Sequence, residues 1–277
     1  MKKVKSIHSA IETSDGAGVK LNRVFGYNET PHFDPYLMLD YFVTDNPDDV
    51  SRGFPWHPHR GIETITYILR GAVEHQDSLG NKGVISNGEI QWMTAGSGII
   101  HQEMPEAALE GIEGFQLWLN LPAKDKMTDP RYGEIKADSV KTIKKDGNTI
   151  KIIGGSMDGK PGPINRDKLG VNLYDISIPA GTTYIYKPDQ DINTFMFVFR
   201  GFGYFGSNND RVNEKDAVLF EGDGNIQIDA VEDLRLLLGE GRPLGEPIAW
   251  GGPIVMNTRD ELMQAFREYD EGTFIKT

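Results

Sequence analysis

The chain has 277 residues and a net charge of −12, with 41 acidic against 29 basic side chains. Because it contains no cysteine, a disulfide scaffold, a cysteine-based zinc finger, an iron–sulfur centre and a thiol nucleophile are excluded. The negative charge disfavours direct binding to nucleic acid or to an anionic membrane surface.

The first half of the chain has the pattern of a β-protein. Short runs of valine, isoleucine, tyrosine and phenylalanine alternate with glycine-containing turns, and Asn87-Gly88 is a strong hairpin signal. No apolar segment has the length of a signal peptide core or of a membrane span, so we expect a cytoplasmic protein. The predicted strands are Ile62–Leu69, Val73–Ser78, Ile90–Met93 and Phe115–Leu121.

The charged stretch Lys124–Lys151 is interpreted as the connection between two halves. The second half repeats the style of the first, since Leu69-Arg70-Gly71 and Phe199-Arg200-Gly201 end strands in the same way. This repetition indicates a duplicated β-domain. Its predicted strands are Asn172–Ile178, Thr194–Phe199, Ala217–Phe220, Ile226–Ile228 and Leu234–Leu238.

One helix is predicted near the C-terminus. Thr258 and Glu261 have the spacing of a capping box, and Gly272 is the expected stop. The residues that share one apolar face between these signals are Leu262, Ala265, Phe266 and Tyr269. We interpret that face as a packing surface.

The six histidines all lie at or before position 101. In His57-Pro58-His59 two imidazoles lie at positions i and i+2, which face the same side of a strand. His101-Gln102-Glu103 repeats this spacing with an imidazole and a carboxylate. On neighbouring strands these residues would bring three imidazoles and one carboxylate together, a set that suits iron, manganese, nickel or copper and that would close the tetrahedral shell of zinc.

Glu63 and His75 lie near these motifs in the sequence. Glu63 has the same parity as His57 and His59 if the strand continues, so it would lie on the same face. His75, flanked by Glu74 and Asp77, is interpreted as a solvated histidine on a strand edge, and its removal is expected to leave metal binding intact.

Two segments make the sequence resemble a known family. Phe54–Thr64 resembles the first metal motif of the pirin family, and Gln91–Pro105 is similar to the second. Gly241–Pro247 and Gly252–Thr258 are similar to the C-terminal signature of the same family.

The resemblance implies a mainly all-β fold of the cupin superfamily, with two face-to-face antiparallel β-barrels of the jelly-roll (RmlC-like) type and a C-terminal helix. Residues 1–130 would form a metal-binding cupin domain. Residues 131–277 would form a cupin domain that lacks metal ligands and carries the helix. The implied metal ligands are His57, His59, His101 and Glu103. The general cupin pattern has a carboxylate ligand where Glu63 stands, so Glu63 is the alternative to Glu103 or a group next to the ligands. One divalent ion is expected, Fe(II) first, with nickel, copper, manganese and zinc as alternatives.

The resemblance also implies two functions. One is a quercetin 2,3-dioxygenase-like enzyme, acting as a monomer on a small aromatic substrate and O₂, with Glu103 or Glu63 as the catalytic base and Gln116 as a neighbouring donor. The other is a metal- and redox-dependent regulatory protein that binds a transcription factor or a metabolic enzyme. The side chains expected to line an aromatic mouth are Tyr67, Trp92, Met93, Phe115 and Trp118.

Overall fold

The computed structural model describes residues 1–46, 52–106, 111–164, 170–189 and 191–276, and strands dominate it. The strands of the first half are β1 (Lys3–Ser9), β2 (Ile11–Asp15), β3 (Val19–Phe25), β4 (Tyr36–Thr44), β5 (Phe54–His59), β6 (Ile62–Arg70), β7 (Ala72–Asp77), β8 (Lys82–Ser86), β9 (Ile90–Thr94), β10 (Ile99–Pro105), β11 (Ile112–Asn120) and β12 (Arg131–Ile135). The remaining strands are β13 (Lys141–Lys145), β14 (Asn148–Gly154), β15 (Ser156–Met157), β16 (Lys160–Pro161), β17 (Asn172–Ile178), β18 (Thr183–Tyr186), β19 (Asn193–Arg200), β20 (Gly203–Phe205), β21 (Asp210–Val212), β22 (Asp216–Glu221), β23 (Ile226–Ala230), β24 (Leu234–Gly241), β25 (Ala249–Gly251) and β26 (Ile254–Met256). The helices are α1 (Thr30–Phe33) and α2 (Arg259–Asp270), with short 3₁₀ turns at Ala123–Asp125 and Ala137–Ser139.

The chain forms two compact units, and each terminal segment belongs to the unit formed mainly by the other half of the chain. The first unit comprises residues 12–30, 35–137 and 244–277, and the second comprises residues 1–11, 31–34 and 138–243. The first eleven residues and the last 34 thus belong to the opposite unit from the one that the ranges 1–130 and 131–277 would give them. The cause is strand pairing, because β1 pairs with β22, whereas β26 bridges to Arg60. The ranges 1–130 and 131–277 remain a prediction.

Each unit pairs a large antiparallel sheet with a small one. Within the described residues of the first unit, the sheets run β12-β9-β6-β11-β4-β3-β2 and β5-β10-β7-β8. In the second unit the orders are β1-β22-β19-β24-β17-β14-β13 and β18-β23-β20-β21. The two units have the same plan, which confirms the mainly-β prediction.

The segment Lys124–Lys151, predicted to connect two halves, contains the boundary between Ala137 and Asp138 at which the chain passes from one unit to the other. It holds β12, β13 and the beginning of β14. The sequence did not reveal these strands because β12 and β13 are edge strands of their sheets, and an edge strand carries charges that protect it from further pairing. In β13 only Ile143 is buried among lysines and a threonine, which removes the apolar alternation that marks a strand.

The C-terminal helix forms as predicted. The backbone amide of Glu261 donates to the Thr258 hydroxyl at 3.2 Å, and the Thr258 amide donates to the Glu261 carboxylate at 2.8 Å. Ala265 is buried in a cluster with Ile254 and Phe274, and Leu262 and Phe266 pack against it. None of the helices in the described ranges combines the length and apolar character needed to cross a bilayer.

Candidate metal centre

The predicted ligand motifs lie on two paired strands of the first unit. In β5 and β10, which run antiparallel, His57 is directly opposite His101. His59 lies two residues along β5, so its side chain emerges on the same face as that of His57. The local i, i+2 spacing and the strand register together bring the three imidazoles to one point.

The three Nε2 atoms converge at the separation that one ion requires. The Nε2 of His57 is 3.0 Å from that of His59 and 2.9 Å from that of His101. Two nitrogens that each lie about 2.1 Å from an ion, at right angles to each other, are about 3.0 Å apart. The three rings therefore have the geometry of adjacent ligands on one metal.

Hydrogen bonds at the far side of two rings direct their lone pairs to this point. The Nδ1 of His57 lies 2.8 Å from the Pro55 carbonyl oxygen, and that of His59 lies 3.0 Å from the Pro253 carbonyl oxygen. A carbonyl oxygen only accepts, so both Nδ1 atoms carry the proton. Burial, and then the neighbouring His57, hold the pKa of His59 well below its ordinary value although the bond to Pro253 opposes this. His59 is thus neutral, with a free pair on Nε2.

A chain of side chains fixes His101 in the same way. The Nε2 of His75 donates to the Asp77 carboxylate at 3.1 Å, and the Nδ1 atoms of His75 and His101 are 3.3 Å apart. Burial raises the pKa of Asp77, but bonds from His75, Asn81 and backbone amides outweigh it and lower that pKa overall. The Gln91 amide nitrogen lies 3.3 Å from His75 Nδ1 and donates to it. With His75 Nδ1 as an acceptor, His101 Nδ1 is the donor of their contact, which leaves the His101 Nε2 lone pair for an ion.

His75 is therefore not the solvated edge histidine that the sequence indicated. It is fully buried, and it stacks on Tyr132 with ring centroids 4.3 Å apart. The prediction was wrong because charged neighbours in sequence were taken as a sign of exposure, whereas alternate residues of β7 face inward.

Replacing His75 by phenylalanine is expected to weaken metal binding by about 10- to 100-fold, the usual effect of losing a group that orients a ligand. Phenylalanine keeps the stack on Tyr132 but removes both ring nitrogens. Metal affinity is measured by competition with a chromophoric chelator. Tyr132→Phe is the matched control, because it removes a hydroxyl that donates to Glu134 and keeps the His75–His101 contact. Equal affinities in His75→Phe and wild type would show that His101 needs no such support.

Glu103 lies beside the three-imidazole point, on the His101 side. Among the described residues, the potential ligand atoms of His75, His101 and Glu103 form one close group, and those of His57, His59 and His101 form another. The Glu103 carboxylate is buried and accepts hydrogen bonds from Gln116 at 2.6 Å and from Thr66 at 3.2 Å. Gln116, expected from the sequence to be a neighbouring donor, does hold this carboxylate.

Glu63 lies on the other side of β6. It is buried and accepts a bond from the Thr94 hydroxyl at 2.6 Å. Thr66, of opposite parity on the same regular strand, is the residue that reaches Glu103. The parity argument from the sequence fails because the chain turns at Gly61, which has a φ of +78°, and β5 and β6 belong to different sheets.

A cavity of about 600 Å³ opens next to the imidazoles. His57 and His59 line it together with Gln116, Trp118 and Trp250. The His59 and Trp118 rings are 4.9 Å apart, and those of Trp118 and Trp250 are 5.9 Å apart. The cavity therefore has an aromatic wall that leads to the three-imidazole point.

Of the residues predicted to line the mouth, only Trp118 is part of this wall in the described structure. Tyr67 and Phe115 are buried and lie 6.4 Å apart in a stack, and Met93 belongs to a core cluster. The alternation of residues along a strand shows which side chains share a face. It does not show which face of the large sheet borders the cavity.

Comparisons with known proteins agree with this geometry. The pirin family model matches residues 18–119, and the model of the pirin C-terminal cupin domain matches residues 173–275. The chain belongs to the pirin family. A pirin-like protein of Caulobacter vibrioides is 45% identical over 264 residues, which cover 95% of each chain. A Pseudomonas aeruginosa protein named for a proposed quercetin 2,3-dioxygenase activity is 39% identical over 97% of this chain and 96% of its own.

The pirin fold also extends over the whole chain. A crystal structure of quercetin 2,3-dioxygenase from Acinetobacter baumannii superimposes with a TM-score of 0.91 at 31% identity, covering 99% of this chain and 98% of that one. This match confirms the two-domain cupin fold with a C-terminal helix.

Sequence reasoning missed two contributions to this pirin site. The C-terminal segment supplies Trp250 to the cavity and the Pro253 carbonyl to His59. Arg23 and Asp40 also line the cavity and form a two-pronged ion pair at 2.9 and 2.8 Å. The resemblance of Gly252–Thr258 to a pirin signature marked the segment, but nothing in the sequence placed it beside the imidazoles.

Proposed function

We propose that the protein is a metal-dependent dioxygenase, with iron as the expected ion, that opens a flavonol-type aromatic ring with O₂. The observation that carries the proposal is the convergence of three imidazole Nε2 atoms at the end of an aromatic cavity. The names of the quercetin dioxygenase relatives support the substrate class.

The residues that would hold the ion are His57, His59, His101 and, as the fourth ligand, Glu103. A bound iron would supply a Lewis acid that lowers the pKa of the flavonol 3-hydroxyl and a centre at which O₂ reacts. The donor set of imidazoles and a carboxylate fits iron, nickel, copper or manganese.

The cavity walls would bind and orient the flavonol. Trp118 and Trp250 offer ring faces and edges to a flat aromatic molecule, and a volume of about 600 Å³ lies within the range of small-ligand sites. The Arg23–Asp40 pair offers polar groups to the hydroxyls of a flavonol. His59 and His101 are buried, whereas His57 is half-buried and faces the cavity.

Glu103 is the proposed proton acceptor for the flavonol hydroxyl. Its Oε2 is held by the Gln116 amide, and Gln116 also lines the cavity. Gln116 can therefore steer the carboxylate between the ion and the substrate. Glu63 has no part in this step, because it bonds to Thr94 on the face of β6 that points away from Glu103.

The proposal is tested by loading the protein with Fe(II) without oxygen, adding quercetin, and then admitting O₂. We expect metal-dependent loss of the flavonol absorbance and release of carbon monoxide. Trp250→Leu is expected to raise KM about 10-fold through loss of an aromatic contact, whereas Trp56→Leu, on an exposed side chain outside the cavity lining, leaves KM unchanged. No turnover after loading with iron, nickel, copper or manganese would contradict the proposal and favour a regulatory protein.

A further inference from the structure

The equal strand orders of the two units give each strand of the first unit a counterpart in the second. By position in the sheets, β5 and β10 of the first unit correspond to β18 and β23 of the second. Both pairs are antiparallel. The place that holds the metal ligands in one unit can therefore be located in the other.

Tyrosines occupy the positions of the first two imidazoles. Tyr184 and Tyr186 are two residues apart on β18, as His57 and His59 are on β5. Both tyrosines line a cavity of about 390 Å³ within the second unit. The second unit has thus kept a cavity at this place and exchanged its imidazoles for phenols.

The counterpart of the third imidazole is apolar. Ile228 lies opposite Tyr184, as His101 lies opposite His57. Neither group of clustered metal-ligating side chains found among the described residues lies in this unit. The cavity is therefore lined by phenol rings, amides, carboxyl groups and two lysines instead of imidazoles.

A buried carboxyl group lies in the lining of this cavity. Glu240 is 1% exposed and accepts bonds from Asn172 at 3.1 Å and from Thr194 at 3.2 Å. Burial raises the pKa of Glu240, bonds from Tyr186, Asn172 and Thr194 oppose this, and the charge of Asp189 raises it further. Asn172, Thr194 and Tyr186 therefore fix the orientation of this carboxyl group.

The charges around the cavity favour a cation. Four carboxyl groups line it, those of Asp146, Asp158, Asp189 and Glu240, against two lysines. Lys145 and Asp158 lie 3.4 Å apart and offset each other, which leaves three carboxyl groups against Lys187.

The phenols of the cavity respond to the same negative field. Burial, and then the charges of Asp158 and Glu240, raise the pKa of Tyr184 to about 12. Burial, and then the charges of Glu240, Asp189 and Asp158, also raise the pKa of Tyr174. Burial is the larger cause of both shifts, and only the smaller contribution, that of the carboxylate charges, favours a bound cation.

We propose that this cavity is a metal-free binding site for a small organic ammonium ion. Tyr174, Tyr184 and Tyr186 provide aromatic rings, and a cation over a ring face is attracted by the quadrupole of the ring. The carboxyl groups that line the cavity provide the opposite charge. The volume fits a ligand with a short chain or a compact alkyl group.

The test uses the metal-loaded protein and two probes of the same shape, choline and its uncharged isostere 3,3-dimethylbutan-1-ol, with binding followed by calorimetry and saturation-transfer NMR. We expect choline to bind at least about 10-fold more tightly than the alcohol, the effect of one cation–π contact of about 1.4 kcal/mol. Equal binding of both probes, or of neither, would overturn the proposal.

Variants at Tyr184 separate ring chemistry from shape. Tyr184→Leu is expected to weaken choline binding about 10-fold, whereas Tyr184→Phe, which keeps the ring, retains it. Tyr204→Leu, on a half-buried tyrosine of the same unit outside the cavity lining, is the control and leaves binding unchanged. Equal choline affinities in Tyr184→Leu and wild type would show that the cation lies elsewhere. Because the readout is binding and not turnover, the result is independent of the dioxygenase proposal.

Discussion

Replacing His101 by alanine is expected to lower the metal affinity of the protein by more than about 100-fold, beyond the range seen when only an orienting group is lost. His101 is the one residue shared by both groups of potential ligands in the described structure, and it lies opposite His57 in the strand register. Without it, His57 and His59 on β5 are no longer linked through a shared ligand to the Glu103 carboxylate. Metal content after dialysis and affinity from chelator competition measure the effect.

The control for this prediction is His32→Ala, which removes an exposed histidine from the second unit. It is expected to bind metal like the wild type. Thermal unfolding of the metal-free proteins separates loss of the ligand from loss of the fold. Equal affinities in His101→Ala and His32→Ala would place the metal elsewhere.

Replacing Lys126 by methionine is expected to lower the free energy of unfolding by about 3 kcal/mol, because buried oxygens that lose their donor cost about 1–3 kcal/mol each. The buried Lys126 ammonium donates to the carbonyl oxygens of Gly61 and Val255 and to the side chain of Asn120, at 2.9, 3.0 and 2.6 Å. These bonds join the turn after His59 to the C-terminal segment. We therefore expect metal affinity to fall as well, since the Pro253 carbonyl that orients His59 belongs to that segment.

The pH dependence of this effect has a definite sign. Burial lowers the pKa of Lys126 to about 8 from 10.5, against the opposing charges of Glu246 and Glu261. Between these two values the unfolded chain binds more protons than the folded one, so this group makes the folded state more stable as pH rises. Chemical denaturation from pH 7 to 10 is expected to show that slope in the wild type and not in Lys126→Met.

Lys124→Met is the matched control, because Lys124 is exposed two residues earlier. It is expected to change the free energy of unfolding by less than about 0.5 kcal/mol, as for other surface substitutions. A stability loss shared by both variants would mean that the three buried bonds of Lys126 contribute little.

The sequence predicted the features that depend on local spacing. The i, i+2 pairs at His57 and His101 lie on strands, where two residues apart means the same face. The capping box of the last helix forms between Thr258 and Glu261. In both cases neighbours in the chain fix the geometry, so no knowledge of distant contacts was needed.

The features that depend on tertiary contacts were not predictable. Gly61 has a φ of +78°, and a side-chain carbon there would lie 2.0 Å from the Val255 carbonyl oxygen, so a turn pinned by the C-terminal segment interrupts the parity that had placed Glu63 beside the histidines. The bond from His59 to Pro253 spans 194 residues. The burial of His75 depends on Tyr132, which belongs to a strand hidden in a charged segment.

The central claim is that His57, His59, His101 and Glu103 bind a single ion in the first unit. An anomalous-difference map at the iron absorption edge, from crystals of the Fe(II)-loaded protein, tests it most directly. The account predicts one peak about 2.1 Å from the three Nε2 atoms, with an oxygen of Glu103 in the same shell. A peak at any other set of side chains, or full iron loading with no density between these rings, would contradict it.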